Sequence, residues 1–109
     1  MNDIDKAFIK FHQNNPHIYQ EILKYADQLW QGGQRRFGMK AIFERIRWDY
    51  AITTNSIPFK LNNNYTSRYA KIIERDHPKV RGFFRVRELD PSSIFAEDYV
   101  TNPFKHLWP

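Results

Sequence analysis

The chain predicts a mainly helical α+β fold, one domain with a short β element. Three observations carry this reading. Apolar residues recur at helical spacing in four separate stretches, an alternating run follows the last of them, and 109 residues with 41% hydrophobic and 17% aromatic content suffice for one core. A second full domain does not fit this length. Without cysteine there is no disulfide or thiolate metal site.

Ile4, Ala7, Phe8 and Phe11 share one face of a short first helix. Asn14-Asn15-Pro16 ends it, because proline has no amide to donate and disfavours helical geometry in the residue before it. Asn15 is then expected to cap a second helix with Pro16 at its first position. Ile18, Ile22, Tyr25, Ala26 and Leu29 form its apolar stripe until Gly32-Gly33 stops it. Met39, Ile42, Phe43, Ile46 and Tyr50 make a third stripe, with Lys40, Glu44 and Arg47 on the wet side and residues 53–58 as the loop that follows. Phe59-Lys60-Leu61 reads as a small edge strand. Asn62-Asn63-Asn64 supplies capping side chains to a fourth helix over residues 63–76, which His77-Pro78 closes. Across residues 81–89, Phe84 and Val86 fall on one parity and Phe83, Arg85 and Arg87 on the other, the period of a strand. After Asp90-Pro91 no period holds, yet Ile94, Phe95, Tyr99, Val100, Phe104, Leu107 and Trp108 are too apolar for a loose tail. Residues 91–109 are therefore expected to fold back on the core, the alternative being a partner protein or a second copy of the chain.

Charge points to a binding function. The formal net charge is +5, but residues 31–90 hold thirteen bases against six acids while each end is slightly acidic. Nine of the thirteen are arginine, whose planar fork suits phosphate and guanine edges. On the fourth helix Asn64, Ser67, Arg68, Lys71 and Arg75 fall on one stripe, opposite Tyr65, Tyr69, Ile72 and Ile73. The expectation is a core face and a basic outer face, with the helix start able to hold a phosphate. The glycine-rich stretch 31–38 adds a second candidate, a backbone phosphate clamp through Arg35 and Arg36.

The third helix, the loop, the small strand and the fourth helix, with residues 81–89 as a strand beside a wing, resemble a helix-turn-helix within a winged-helix arrangement over residues 15–90. Such modules place the later helix in the major groove and a basic strand on the backbone or minor groove. The resemblance implies Asn64, Ser67, Arg68 and Lys71 as groove contacts, and Arg75, Arg81, Arg85 and Arg87 as phosphate contacts. In departure from that pattern, the link between the two helices is long and a single strand follows. The runs Phe59-Lys60-Leu61-Asn62-Asn63-Asn64-Tyr65, Tyr69-Ala70-Lys71-Ile72-Ile73 and Gly82-Phe83-Phe84-Arg85-Val86-Arg87, with Asn14-Asn15-Pro16-His17-Ile18-Tyr19 and Ile46-Arg47-Trp48, resemble small proteins encoded by bacteriophages and prophages. This second resemblance spans residues 8–90 and carries no catalytic residue. It implies a bacterial or phage-infected cytoplasm, and work in gene control, phage DNA metabolism or host takeover.

The resulting expectation is a non-enzymatic protein that binds double-stranded DNA, with RNA as a further ligand because Tyr, Phe and Arg stack on unpaired bases. The alternative is a module that captures a protein through Trp30, Trp48 or the aromatic tail, or that dimerises through residues 91–109. No cofactor or metal is expected. His12, His17, His77 and His106 lack ligand spacing, Asp49, Glu74, Asp76, Glu88 and Asp90 show no nuclease pattern, and Ser56, Ser67, Ser92 and Ser93 have no nucleophile elbow. The acidic opening Met1-Asn2-Asp3-Ile4-Asp5, with no apolar run after it, gives the expectation of neither a secretory signal nor a membrane span.

Overall fold

The computed structural model describes residues 1–54 and 60–109. Asn2 opens the first helix, α1 (Asp3–Asn14), its side-chain oxygen accepting from the Asp5 amide at 2.8 Å. Asn15 stands at the N-cap of the second helix, α2 (Pro16–Gln31), as expected, and its carbonyl accepts from the Ile18 amide, but its side chain makes no capping bond there. Its backbone and side-chain nitrogens both donate to the Phe11 carbonyl, so it closes α1. Pro16 suits the first position of α2 because its φ is already helical and it leaves no amide of its own unsatisfied there. Gly33, at φ 98°, stops α2: its amide donates to the Trp30 carbonyl and that of Gln34 to the Leu29 carbonyl, a Schellman closure that glycine enters without strain.

A two-residue strand, β1 (Phe37–Gly38), runs directly into α3 (Met39–Thr53). A 3-10 turn at Asn63–Tyr65 feeds α4 (Thr66–Asp76), and Asn62 caps it by accepting from the Asn64 amide at 2.9 Å. The strand expected over residues 81–89 shortens to β2 (Phe84–Arg85), which lies parallel to β1 with Phe37 opposite Phe84 and Gly38 opposite Arg85. Gly82, at φ 82°, swings the chain inward so that Phe83 and Phe84 are both buried, while Val86 faces out. A wing is a hairpin and hence antiparallel. Among the described residues this parallel pair is the one ladder present. Of the expected edge strand, Phe59 lies outside the described residues, as do residues 55–58 of the loop; Lys60 and Leu61 are in no strand.

The domain is mainly helical, with α4 at its centre. Tyr69, Ala70, Ile72 and Ile73 meet Phe8 of α1, Ile18 and Ile22 of α2, and Ile42, Phe43 and Ile46 of α3. Phe8 stands edge-on to both Tyr69 and Phe95, at centroid separations of 4.9 and 5.5 Å. Phe95 belongs to residues 91–109, which pack on the core: Ile94, Phe95 and Trp108 are buried in it. Asn102, also buried, donates to the carbonyls of Ile94 and Glu97 and accepts from the Phe104 amide, and the Trp108 indole donates to Ile94 at 2.9 Å. The segment is a chain of turns held by side chains, which explains why no single period ran through it. Among the described residues no helix is long and apolar enough to cross a membrane.

Candidate anion-binding groove

Part of the polar stripe of α4 is buried, which corrects the reading of Ser67 and Arg68 as groove contacts. Arg68 is 4% exposed and its Nε donates to Asp5 Oδ1 at 2.7 Å, while Nη1 donates to the Asn64 carbonyl. Asp5 is itself buried and also accepts from Ser93 Oγ at 2.8 Å and from the Ile94 amide at 2.9 Å. A buried carboxylate and guanidinium are thus paired, with further hydrogen bonds to both, the condition under which such charges are tolerated. Ser67 is buried too and donates to the Arg87 carbonyl.

Further along α4 the same segment takes up the basic side chains. Lys71 Nζ lies 3.0 Å from Asp98, and Arg81 pairs with the second oxygen of that carboxylate. The hydrogen bond from Lys71, together with the charges of Lys71 and Arg81, holds the Asp98 carboxyl below its ordinary range. Arg75 pairs with Asp76 at 2.8 Å, donates to the Pro109 carbonyl at 2.7 Å and lies over the Tyr99 ring. Four of the ten expected contacts, Arg68, Lys71, Arg75 and Arg81, therefore have carboxylate partners, and Ser67 is buried.

The structure brings together a different subset. Arg85 and Arg87, from β2 and the residues after it, meet Lys40 of the first turn of α3 and Asn63 and Asn64 of the turn before α4 around a groove of about 500 Å³. All three bases are exposed, none has a hydrogen bond or ion pair among the described residues, and no carboxylate lines the groove. Its wall includes Gly38, the N-cap of α3, which has no side chain to cap the first-turn amides; that turn also lacks an acid. The alternation of the ladder sets this up: Phe84 goes inward against the core and Arg85 outward, with its guanidinium beside Gly38. Ser67 contributes indirectly, because its bond to the Arg87 carbonyl ties the Arg87 backbone to α4. Nearby, Arg47 donates to Asn63 Oδ1 at 2.6 Å and to the Leu61 carbonyl.

Arg35 and Arg36 are exposed just ahead of β1 and do not line the groove. Arg35 lies over the Trp30 ring at 4.0 Å and donates to the Trp30 and Gln34 carbonyls. Lys40 was missed as a candidate, and Asn63 entered only as part of the helix start able to hold a phosphate. A signal for Lys40 was present: a glycine before a helix whose first turn carries a base and no acid leaves positive charge without internal compensation. A second depression, of about 600 Å³, runs between α2 and the chain after α4 and is walled mostly by apolar side chains, including Leu23, Trp30 and Phe83. The described residues contain no cluster of three or more His, Asp or Glu suited to a metal. No protein-family model matches this chain, and searches of curated proteins and of solved structures return no match.

Proposed function

We propose that this is a non-enzymatic nucleic-acid-binding protein that grips the phosphate backbone in the groove of Lys40, Arg85 and Arg87. One observation carries this reading: three exposed bases converge on a groove without a carboxylate, while among the described residues five of the other ten central bases, Arg45, Arg68, Lys71, Arg75 and Arg81, pair with acids. Phosphate oxygens satisfy such a cluster, with Asn63 and Asn64 as amide donors and the uncapped start of α3 adding favourable field. Base readout by α4 is no part of the proposal, because the face it would use is covered. The resemblance to phage and prophage proteins suggests gene control or phage DNA metabolism in a bacterial or phage-infected cytoplasm.

A titration with labelled DNA at increasing salt tests the proposal. Each phosphate contact contributes a slope of about −0.7 to −0.9 in log affinity against log salt, so three contacts give a slope near −2 to −3. Lys40→Ala, Arg85→Ala and Arg87→Ala each lower that slope by about one. No binding at low salt, or a slope these substitutions leave unchanged, refutes the proposal. The rival, capture of a protein, retains support from exposed Val100, Phe104 and Leu107 on the outside of the terminal segment. A stoichiometric partner that survives nuclease treatment and is lost from a Val100→Ser, Phe104→Ser variant favours it.

A further inference from the structure

Trp48 stands on α3 two turns beyond Lys40, about 12 Å along the helix axis, with 64% of its surface exposed. The other two tryptophans are occupied: Trp30 lies under Arg35 and Trp108 is in the core. Trp48 is not among the residues that line the groove, but it shares α3 with Lys40, which is, and follows Arg47 in the chain. Its neighbour Arg47 is hydrogen-bonded to Asn63, which lines the groove, and Ile52, one turn further on, is exposed as well. Inside a duplex each base face is already covered by its neighbours, so an indole on a rigid helix stacks only on a base released from pairing. The devices that read a duplex are not offered by the described elements: on α4 Ser67 and Arg68 are buried and Lys71 and Arg75 are held by carboxylates, and the ladder is two residues long and parallel.

Resting on the reading of the groove as a backbone site, we infer that the nucleic acid bound here is an unpaired strand, its phosphates at Lys40, Arg85 and Arg87 and one of its bases on the Trp48 indole. An opposing charge, Glu44, is exposed on α3 between Lys40 and Trp48 in the chain.

The test compares a short oligothymidylate with a hairpin duplex of equal charge on the full-length chain, by anisotropy of the labelled nucleic acid and by tryptophan emission. Oligothymidylate binds more tightly than the hairpin and quenches the emission of the native chain. Trp48→Ala weakens oligothymidylate binding about tenfold and leaves hairpin binding unchanged, whereas Trp48→Phe keeps most of the affinity and loses most of the quenching. Thermal unfolding of both variants stays near that of the native chain, since the ring is exposed. Hairpin preference, or a Trp48→Ala variant that binds oligothymidylate as the native chain does, overturns the stacking inference. The paired variant Arg85→Ala, Arg87→Ala separates the two levels. If it loses both ligands while Trp48→Ala loses neither, the groove stands and the stacking falls; if it keeps both ligands, the groove reading falls as well.

Discussion

The two ends of α4 use the same kinds of side chain for opposite purposes. Along its length Arg68, Lys71 and Arg75 meet Asp5, Asp98 and Asp76, and they help hold α1 and residues 91–109 against the core. At its start Asn63 and Asn64 join Arg85, Arg87 and Lys40, and there no carboxylate arrives. Around α4 a basic side chain becomes structural or available according to whether the fold delivers an acid to it. Identity and helical phase do not decide this, since Asn64 and Arg68 lie one turn apart on the same stripe.

The comparison breaks most visibly at Asp5. Asp5→Ala strands the Arg68 guanidinium in the interior and removes the acceptor of Ser93 and Ile94, so it costs about 3–5 kcal/mol in denaturant unfolding. The groove residues lie at the other extreme, small in stability and large in binding. Arg85→Ala with Arg87→Ala shifts unfolding by no more than about 0.5 kcal/mol per site, yet flattens the salt slope of DNA binding by about two. Equal behaviour of the two classes in both measurements would abolish the distinction.

Acid sharpens it further. Burial, and then the charge of Arg75, lowers the pKa of His12 from its ordinary 6.5, and its buried Nδ1 has no hydrogen-bond partner among the described residues. The unfolded chain binds that proton more readily than the folded one, so stability present above the unfolded value is lost as pH falls from 6.5 through the lower folded value. A His12→Gln variant should show a flatter melting temperature between about pH 7 and pH 5. Asp98 acts in a lower window: its folded value is depressed from 3.8, and its contribution is lost as pH falls through that depressed value. The pair is partly exposed, so Asp98→Asn changes stability by less than about 1 kcal/mol at neutral pH, read by denaturant titration. The smallest effect is at Glu44. Replacing it with Gln removes a like charge from the strand's path, and affinity for oligothymidylate rises by about twofold at low salt.

Much of the helical frame was legible because its causes are local. Pro16, Gly33 and the apolar stripes through Ile22, Ile42 and Ile72 act within a few residues of themselves, and the helices fall where those signals put them. Arg85, Arg87 and Asn64 were also legible as surface groups of the site, the first two from strand alternation beside buried Phe84. Lys40 was read only as a wet helix residue, because nothing near it announces that β2 will arrive alongside. The covering of Ser67 and Arg68 was out of reach for the same reason. The partners of Arg68 and Ser67 lie 63 and 20 residues away, and a polar stripe looks the same whether water or a buried carboxylate answers it.

By itself, then, the sequence determined four amphipathic helices, their stops, one core and an excess of positive charge in its middle, all of which follow from periodicity, capping and composition. Tertiary structure alone decided which of those charges are satisfied within the fold. Residues 91–109 and Asp5 close over one side of α4, while the short parallel ladder carries Arg85 and Arg87 to Lys40. Pairing of charges depends on distance in space, and a chain's local pattern carries no record of that distance.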